Sequence, residues 1–313
     1  MRVLITGSRG LVGRSLARAL TDVGIDVVTF DIRDDPEQDV RRGSALASAL
    51  RGVDGVVHLA AISRVAWGER HPNLCRQINE QAFSTLVSLC EAERPWLVFS
   101  SSREVYGHQD GIPVSESAAL NPVNTYARSK AFGEGLIARL REQGSTANIV
   151  RLSNVYGEVD DHADRVIPAF ARAAATGGTI RVEGGSNIFD FTHVSDVTSG
   201  LLRLIELTAQ GRQLDPIHLA SGTGTTLDDL AQLATAHARI PITVEARPVR
   251  TFDMGSFVGT TTRAREVLGW SARTPIQQGF ADLVDSFASG SCASESENWL
   301  EMLEMPDVTV EMP

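Results

Sequence analysis

Tyr126-Ala127-Arg128-Ser129-Lys130 sets a phenol and an ammonium four residues apart. In a helix this spacing brings both to one face. A nearby cation favours phenolate, so the pair describes a tyrosine base tuned by a lysine. Upstream, Ser100-Ser101-Ser102 follows the apolar run Trp96-Leu97-Val98-Phe99. Hydroxyls at such a strand end can hydrogen-bond a substrate alcohol as it becomes a carbonyl. On its own a tyrosine and lysine at this spacing is most often a surface helix pair, so the reading depends on what surrounds it.

The element that must position this chemistry is the N-terminal stretch. Arg2-Val3-Leu4-Ile5-Thr6 reads as a strand, followed by Gly7, Gly10 and Gly13 and an apolar-periodic helix through Leu16, Leu20 and Val23. A second strand, Val27-Val28-Thr29-Phe30, ends on Asp31, 18 residues past Gly13. Glycines permit a tight turn and a close backbone approach to a pyrophosphate, whose charge then lies at a helix N-terminus. An acid at the end of the second strand accepts from ribose hydroxyls. Strand, glycine turn, helix, strand and acid in that order predict a dinucleotide cradle.

Further along, Val53–Ala61, Trp96–Ser100 and Asn148–Leu152 read as strands. Helices are expected over about 45–50, over 72–92, and for about 18 residues from Thr125. This alternation predicts an α/β fold, a Rossmann-type doubly wound parallel sheet with ligands at the strands' carboxyl ends. After Leu152 the pattern loosens: an alanine-rich helix past Pro168, a strand at 179–182, a helix at 192–207, a strand at 216–220, a helix at 227–238 and a strand at 242–244. The expected division is a cofactor domain of residues 1–152 plus about 189–220, a smaller substrate lobe of about 153–188 and 221–290, and a serine-rich acidic tail, 291–313.

Composition narrows the function class. The 313 residues are 42% hydrophobic, enough for a sizeable core. A net charge of −10 disfavours a broad nucleic-acid footprint. Three cysteines, Cys75, Cys90 and Cys292, lack metal-ligand spacing, and no metal is expected. Without a basic leader or an apolar run of about 18 residues, a reduced cytoplasmic protein off the membrane is expected.

Several motifs agree in one resemblance. Gly7-x-x-Gly10-x-x-Gly13, Asp39-Val40, His58-Leu59-Ala60-Ala61, Asn79, Ser100 to Gly107 and Tyr126-x-x-x-Lys130 belong together, as do Arg151 to Gly157 and Asp190 to Asp196. Over residues 1–285 the chain resembles an extended short-chain dehydrogenase/reductase of the NAD-dependent sugar epimerase/dehydratase family.

The resemblance implies roles. Tyr126 would be the base, Lys130 would hold the nicotinamide ribose and tune Tyr126, and Ser102 would bind the reacting hydroxyl. NAD would be cradled by Gly7, Arg9, Gly10, Leu11 and Val12. Asp31, Ile32 and Arg33 would flank the adenosine ribose, and Asp39 and Val40 the adenine. Leu59, Ala60, Ala61, Asn79, Ser100 and Val155 would lie along the path to the nicotinamide. Asp31 favours NAD over NADP, because it repels a 2′-phosphate. In this family NAD stays bound, takes a hydride from a nucleotide-linked sugar, usually at C4, and returns it. Epimerisation at C4 is the expected net change, in a homodimer built on helices near 72–92 and 125–143.

Two alternatives stay open. Glu104 matches the base of sugar 4,6-dehydratases and a Glu of uronate decarboxylases, whereas Arg103 stands where an acid or serine is common. An arginine cannot donate a proton to a leaving hydroxyl but can hold a carboxylate or phosphate. The other alternative is a catalytically silent NAD-binding regulator. For the substrate, Ser102, Arg103, Asn154 and Arg250 are the expected contacts. Many relatives carry an arginine before the Asp-Phe pair as a diphosphate clamp, and this chain has Phe189, so either Arg103, Arg165 or Arg247 compensates or the substrate is not an ordinary diphosphate sugar.

Overall fold

The fold is built on a six-stranded sheet in which every neighbouring pair is parallel. The protein was analysed as a computed structural model that describes residues 1–248 and 255–290. In chain order the strands are β1 (Arg2–Thr6), β2 (Asp26–Phe30), β3 (Gly55–His58), β4 (Trp96–Ser102), β5 (Ala147–Leu152), β6 (Asn154–Tyr156), β7 (Gly178–Glu183), β8 (Ile188–His193), β9 (Ile217–Leu219), β10 (Gly224–Thr226) and β11 (Ile242–Arg247). The large sheet runs β2-β1-β3-β4-β5-β9. The chain moves outward from β1 to β2, then returns to the other side of β1 as β3. Strand order therefore reverses between β1 and β3, and a crevice opens beyond their carboxyl ends, where ligands bind in such sheets.

Strand periodicity explains the two cores. Leu4, Val56, Leu97 and Phe99 point to one face and pack with Leu46, Phe83, Leu86 and Ile137. Val3, Ile5, Val57 and Val98, their alternating neighbours, pack on the other face with Leu16, Leu20, Leu201 and Leu204. Alternate residues of a strand face opposite sides, so strands that are apolar throughout need helices on both faces. A third core, with Ile167, Phe170, Phe191, Leu230 and Phe280, belongs to the C-terminal part of the chain.

The helix expected at Thr125 spans Thr125–Glu142, and Asn124 caps it by accepting from the Ala127 N–H at 2.7 Å. The segment expected as one helix over 72–92 is helical throughout, from Pro72 to Glu93, with a π-helical turn inside it. Pro72–Arg76 and Ala82–Glu93 adjoin the π-helical turn, Gln77–Gln81, which presents buried Asn79, and a separate short helix, Val65–Arg70, precedes them. Beyond Leu152 the short strands β10, β8 and β6 form a second sheet, and β11 pairs with β7. The segment of about 189–220 is thus shared: β8 lies in the small sheet, and β9 closes the large one. The acidic tail lies outside the described residues. Among the described residues no helix is long and apolar enough to cross a membrane, and no metal-ligating cluster occurs.

Candidate active site

A cavity of about 740 Å³ begins at the glycine turn, runs along the carboxyl ends of the central strands, and reaches the C-terminal part of the chain. Gly7, Gly10, Leu11 and Val12 form its floor at the start of helix Leu11–Asp22. Gly10 caps that helix without a side-chain bond, so its first N–H groups remain for a ligand. Two glycines of the turn, Gly7 and Gly13, are sterically required. Gly7 has φ +73°, and a Cβ there would come within 2.6 Å of the Ala60 nitrogen. A Cβ at Gly13 would collide with the Gly7 carbonyl oxygen.

Asp31, Ile32, Arg33, Asp39 and Val40 line one end. The Asp31 carboxylate accepts from the backbone N–H groups of Arg9 at 2.8 Å and Arg33 at 3.0 Å, which fixes it at the strand end. Asp39 is held by Arg41, whose Nη2 donates to Oδ2 at 2.6 Å. Leu59, Ala60, Ala61, Ser100 and Val155 form the middle of the wall. Two expected residues stand apart from it. Arg9 contributes its backbone N–H to Asp31, while its side chain pairs with Asp34 at 3.2 Å. Asn79 lies behind the wall, accepting from Ile62 N–H at 2.8 Å and donating to Ser129 Oγ at 3.0 Å. It holds the loop after β3 against the helix that carries Tyr126.

The other end gathers Ser102, Arg103, Glu104, Tyr126, Lys130 and Asn154. Ser102 ends β4 and caps the next turn, accepting from the Glu104 N–H at 3.2 Å. Its hydroxyl is near enough to the Tyr126 phenol to favour the phenolate. The expectation of a phenol lowered by Lys130 is corrected here. Burial pushes Tyr126 up to about 12, against the downward pull of the Ser102 hydroxyl. Lys130 Nζ instead donates to the Ser100 carbonyl at 2.8 Å, and burial brings it down to about 8. Its Nζ is 5.8 Å from the Tyr126 ring centroid.

Arg103 and Glu104 form a buried pair, Nη2 to Oε1 2.9 Å. Asn124 Nδ2 donates to the second Glu104 oxygen at 3.0 Å. The Arg103 guanidinium lies over the Phe189 ring, 5.2 Å from its centroid. Arg247 is not part of the cavity wall and pairs with Glu245 at 2.6 Å. Arg250 lies outside the described residues.

Sequence reasoning missed most of one wall, where Ser63, Arg64, Asp161, His162 and Asp164 join Arg165. Burial holds His162 down at about 3, so it is neutral, and pushes the Asp161 carboxyl up. The only signal for this wall was the charge density of Glu158 to Arg165, which is equally that of a solvated loop.

The model of the NAD dependent epimerase/dehydratase family matches residues 3–220. The chain belongs to this family. A UDP-glucose 4-epimerase of Lactobacillus helveticus is 28% identical, over 87% of this chain and 92% of that protein. Among solved structures, MoeE5 in complex with UDP-glucuronic acid and NAD superposes with a TM-score of 0.83 at 26% identity, covering 93% of this chain and 100% of that one. TunA, an NAD-dependent NDP-hexosamine 5,6-dehydratase of tunicamycin biosynthesis, gives 0.82 at 27% identity over 92% and 98%. The family's cofactor fits the residues present: two glycines admit no Cβ, a helix start is open, and an acid is fixed at the second strand's end.

Proposed function

We propose that this family member is an NAD-dependent nucleotide-sugar epimerase that inverts C4 through transient oxidation. The observation that carries the reading is the convergence of Ser102, Tyr126 and Lys130 at one end of the cavity whose other end is the glycine turn. NAD, when bound, supplies a reversible hydride acceptor. Tyr126 takes the proton of the sugar hydroxyl through its phenol oxygen and returns it in the reverse step. Ser102 holds that hydroxyl, and Lys130 binds the nicotinamide ribose while anchored to Ser100. Gly7, Arg9, Gly10, Leu11, Val12, Asp31, Ile32, Arg33, Asp39 and Val40 serve the dinucleotide. Leu59, Ala60, Ala61, Ser100 and Val155 line its path, with Asn79 supporting them from behind.

A dehydratase or decarboxylase working through Glu104 is the second reading of this site. Glu104 is held at the reaction end by Arg103 and Asn124, one bond to each oxygen, and each oxygen keeps a second lone pair. Asn154, Arg103 and Arg250 complete the proposed substrate contacts. We also assign residues 1–152 with about 189–220 to the cofactor unit and the intervening and following segments to a substrate lobe. Homodimerisation through helix Thr125–Glu142 and its neighbour, in a reducing cytoplasm, belongs to the same proposal. It is supported by Phe132, 44% exposed on that helix, and by buried free Cys75 and Cys90. The test is a panel of nucleotide sugars with mass and NMR analysis of the products. Epimerisation leaves mass unchanged, and loss of water or carbon dioxide sinks the reading.

A further inference from the structure

The reaction end of the cavity carries more positive charge than a neutral sugar requires. Arg103 follows Ser102 directly and is 8% exposed. Its Nε donates to Asn154 Oδ1 at 3.0 Å, and its Nη2 pairs with Glu104. Its Nη1 is buried with no hydrogen-bond partner. Proteins rarely leave such a group unsatisfied, and the exceptions concentrate where a ligand completes the site. Phe189 and Phe257, with ring centroids 5.2 and 6.0 Å from the guanidinium carbon, fix the group's plane and keep water from it.

Arg165 lines the same cavity, close enough to Tyr126 for its charge to favour the phenolate, and is loosely held. Its Nη1 is 3.6 Å from Asp161 Oδ1, and its Nη2 is 3.4 Å from Ser63 Oγ. Asp161 is a poor counter-ion, because burial favours its uncharged form and its Oδ2 has no partner. Arg64 differs: both its terminal nitrogens are engaged by the Asp164 carboxylate. Two guanidinium groups at this end therefore have bonding capacity left.

We propose that Arg103 and Arg165 receive a carboxylate borne on the sugar ring, so that the substrate is a nucleotide-linked hexuronate and not a neutral hexose. The inference rests on the nucleotide-sugar reading above. Arg103 adjoins Ser102, so the anion it takes sits on the same ring as the hydroxyl that Ser102 and Tyr126 address. A planar guanidinium matches a carboxylate in two parallel hydrogen bonds, and such charge-assisted bonds are the stronger kind.

The test is calorimetric binding to the NAD-loaded protein of UDP-glucuronic acid and UDP-glucose, two probes that differ only at C6. The acid is expected to bind about tenfold to a hundredfold tighter, the range for a hydrogen-bonded charge. Arg165→Gln is expected to weaken the acid about tenfold or more and to bring its affinity close to that of UDP-glucose, and Arg103→Gln is expected to weaken the acid more than UDP-glucose. Arg103→Gln unpairs Glu104, so Arg165→Gln is the variant that decides if the first does not fold. Equal affinity for the two probes, or a preference that survives Arg165→Gln, overturns the inference and leaves the epimerase reading standing. Binding of neither probe overturns both.

Discussion

The Lys130 ammonium donates to the Ser100 carbonyl oxygen at 2.8 Å, pinning the helix that carries Tyr126 to the strand that ends in Ser102. The same bond holds a charge where burial disfavours it, bringing Lys130 from 10.5 to about 8. Below pH 8 the lysine is charged whether folded or unfolded, and the full penalty is present. Between pH 8 and 10.5 the unfolded chain keeps the proton that the folded chain has lost, so stability rises with pH. Lys130→Met removes the penalty together with one hydrogen bond. The variant is expected to be more stable at pH 7 by about 1–3 kcal/mol, with the gap closing by pH 10. Urea unfolding of the NAD-free protein at both pH values checks this, and a variant less stable at pH 7 refutes it.

Tyr126 and Lys130 set the pH profile together. The base form of a phenol pushed up to about 12 grows tenfold per pH unit, while the Lys130 ammonium is kept only below about 8. The product of the two fractions climbs up to pH 8 and is flat above it. We expect kcat/KM to rise from pH 6 to 8 and level off to pH 10. Tyr126→Phe is expected to lower kcat by about 10²–10⁴-fold while NAD stays bound. A profile that peaks at neutral pH and falls by pH 9 is incompatible with this pair as base and partner.

What was legible in the sequence was what is local. The glycine turn and its acid lie within 31 residues, and Tyr126 and Lys130 share one helix face, so spacing alone carries their geometry. Asn79 was recognisable as a site residue but not as a residue behind the wall, because a π-helical turn changes where its side chain points. The short strands β6, β8 and β10 were invisible as a sheet, since three to six residues carry too little alternation to separate from loop. The stacking of Arg103 on Phe189 joins residues 86 apart, which no local pattern encodes.

Gly13→Ala tests the cradle by sterics alone. The new Cβ would meet the Gly7 carbonyl and the Ser8 Cα, both backbone atoms that cannot swing aside. Overpacking of this kind costs about 1–3 kcal/mol. It also displaces the turn from the pyrophosphate position. The expected result is a folded protein purified with little NAD, read by absorbance of the acid-released cofactor. Full NAD occupancy in the variant excludes this turn as the cradle.

Arg151 separates support from chemistry. It makes two hydrogen bonds to Glu134, Nε at 2.8 Å and Nη2 at 2.6 Å, and Ser101 donates to the same carboxylate at 2.6 Å. Its Nη1 donates to the Tyr106 hydroxyl at 2.7 Å. The network thus sits directly behind the strand end that presents Ser102. Removing one partner of a buried pair leaves an uncompensated charge, so Arg151→Met is expected to lose about 3–5 kcal/mol. The double variant Arg151→Met, Glu134→Leu removes both charges and is expected to regain most of that stability. Its kcat is expected to stay below wild type with KM little changed, because Ser101 has lost the acceptor that fixes its neighbour Ser102. Denaturant unfolding and steady-state kinetics on the same preparations check both halves. A double variant with restored stability and wild-type kcat would reduce the pair to a packing element with no hold on the site.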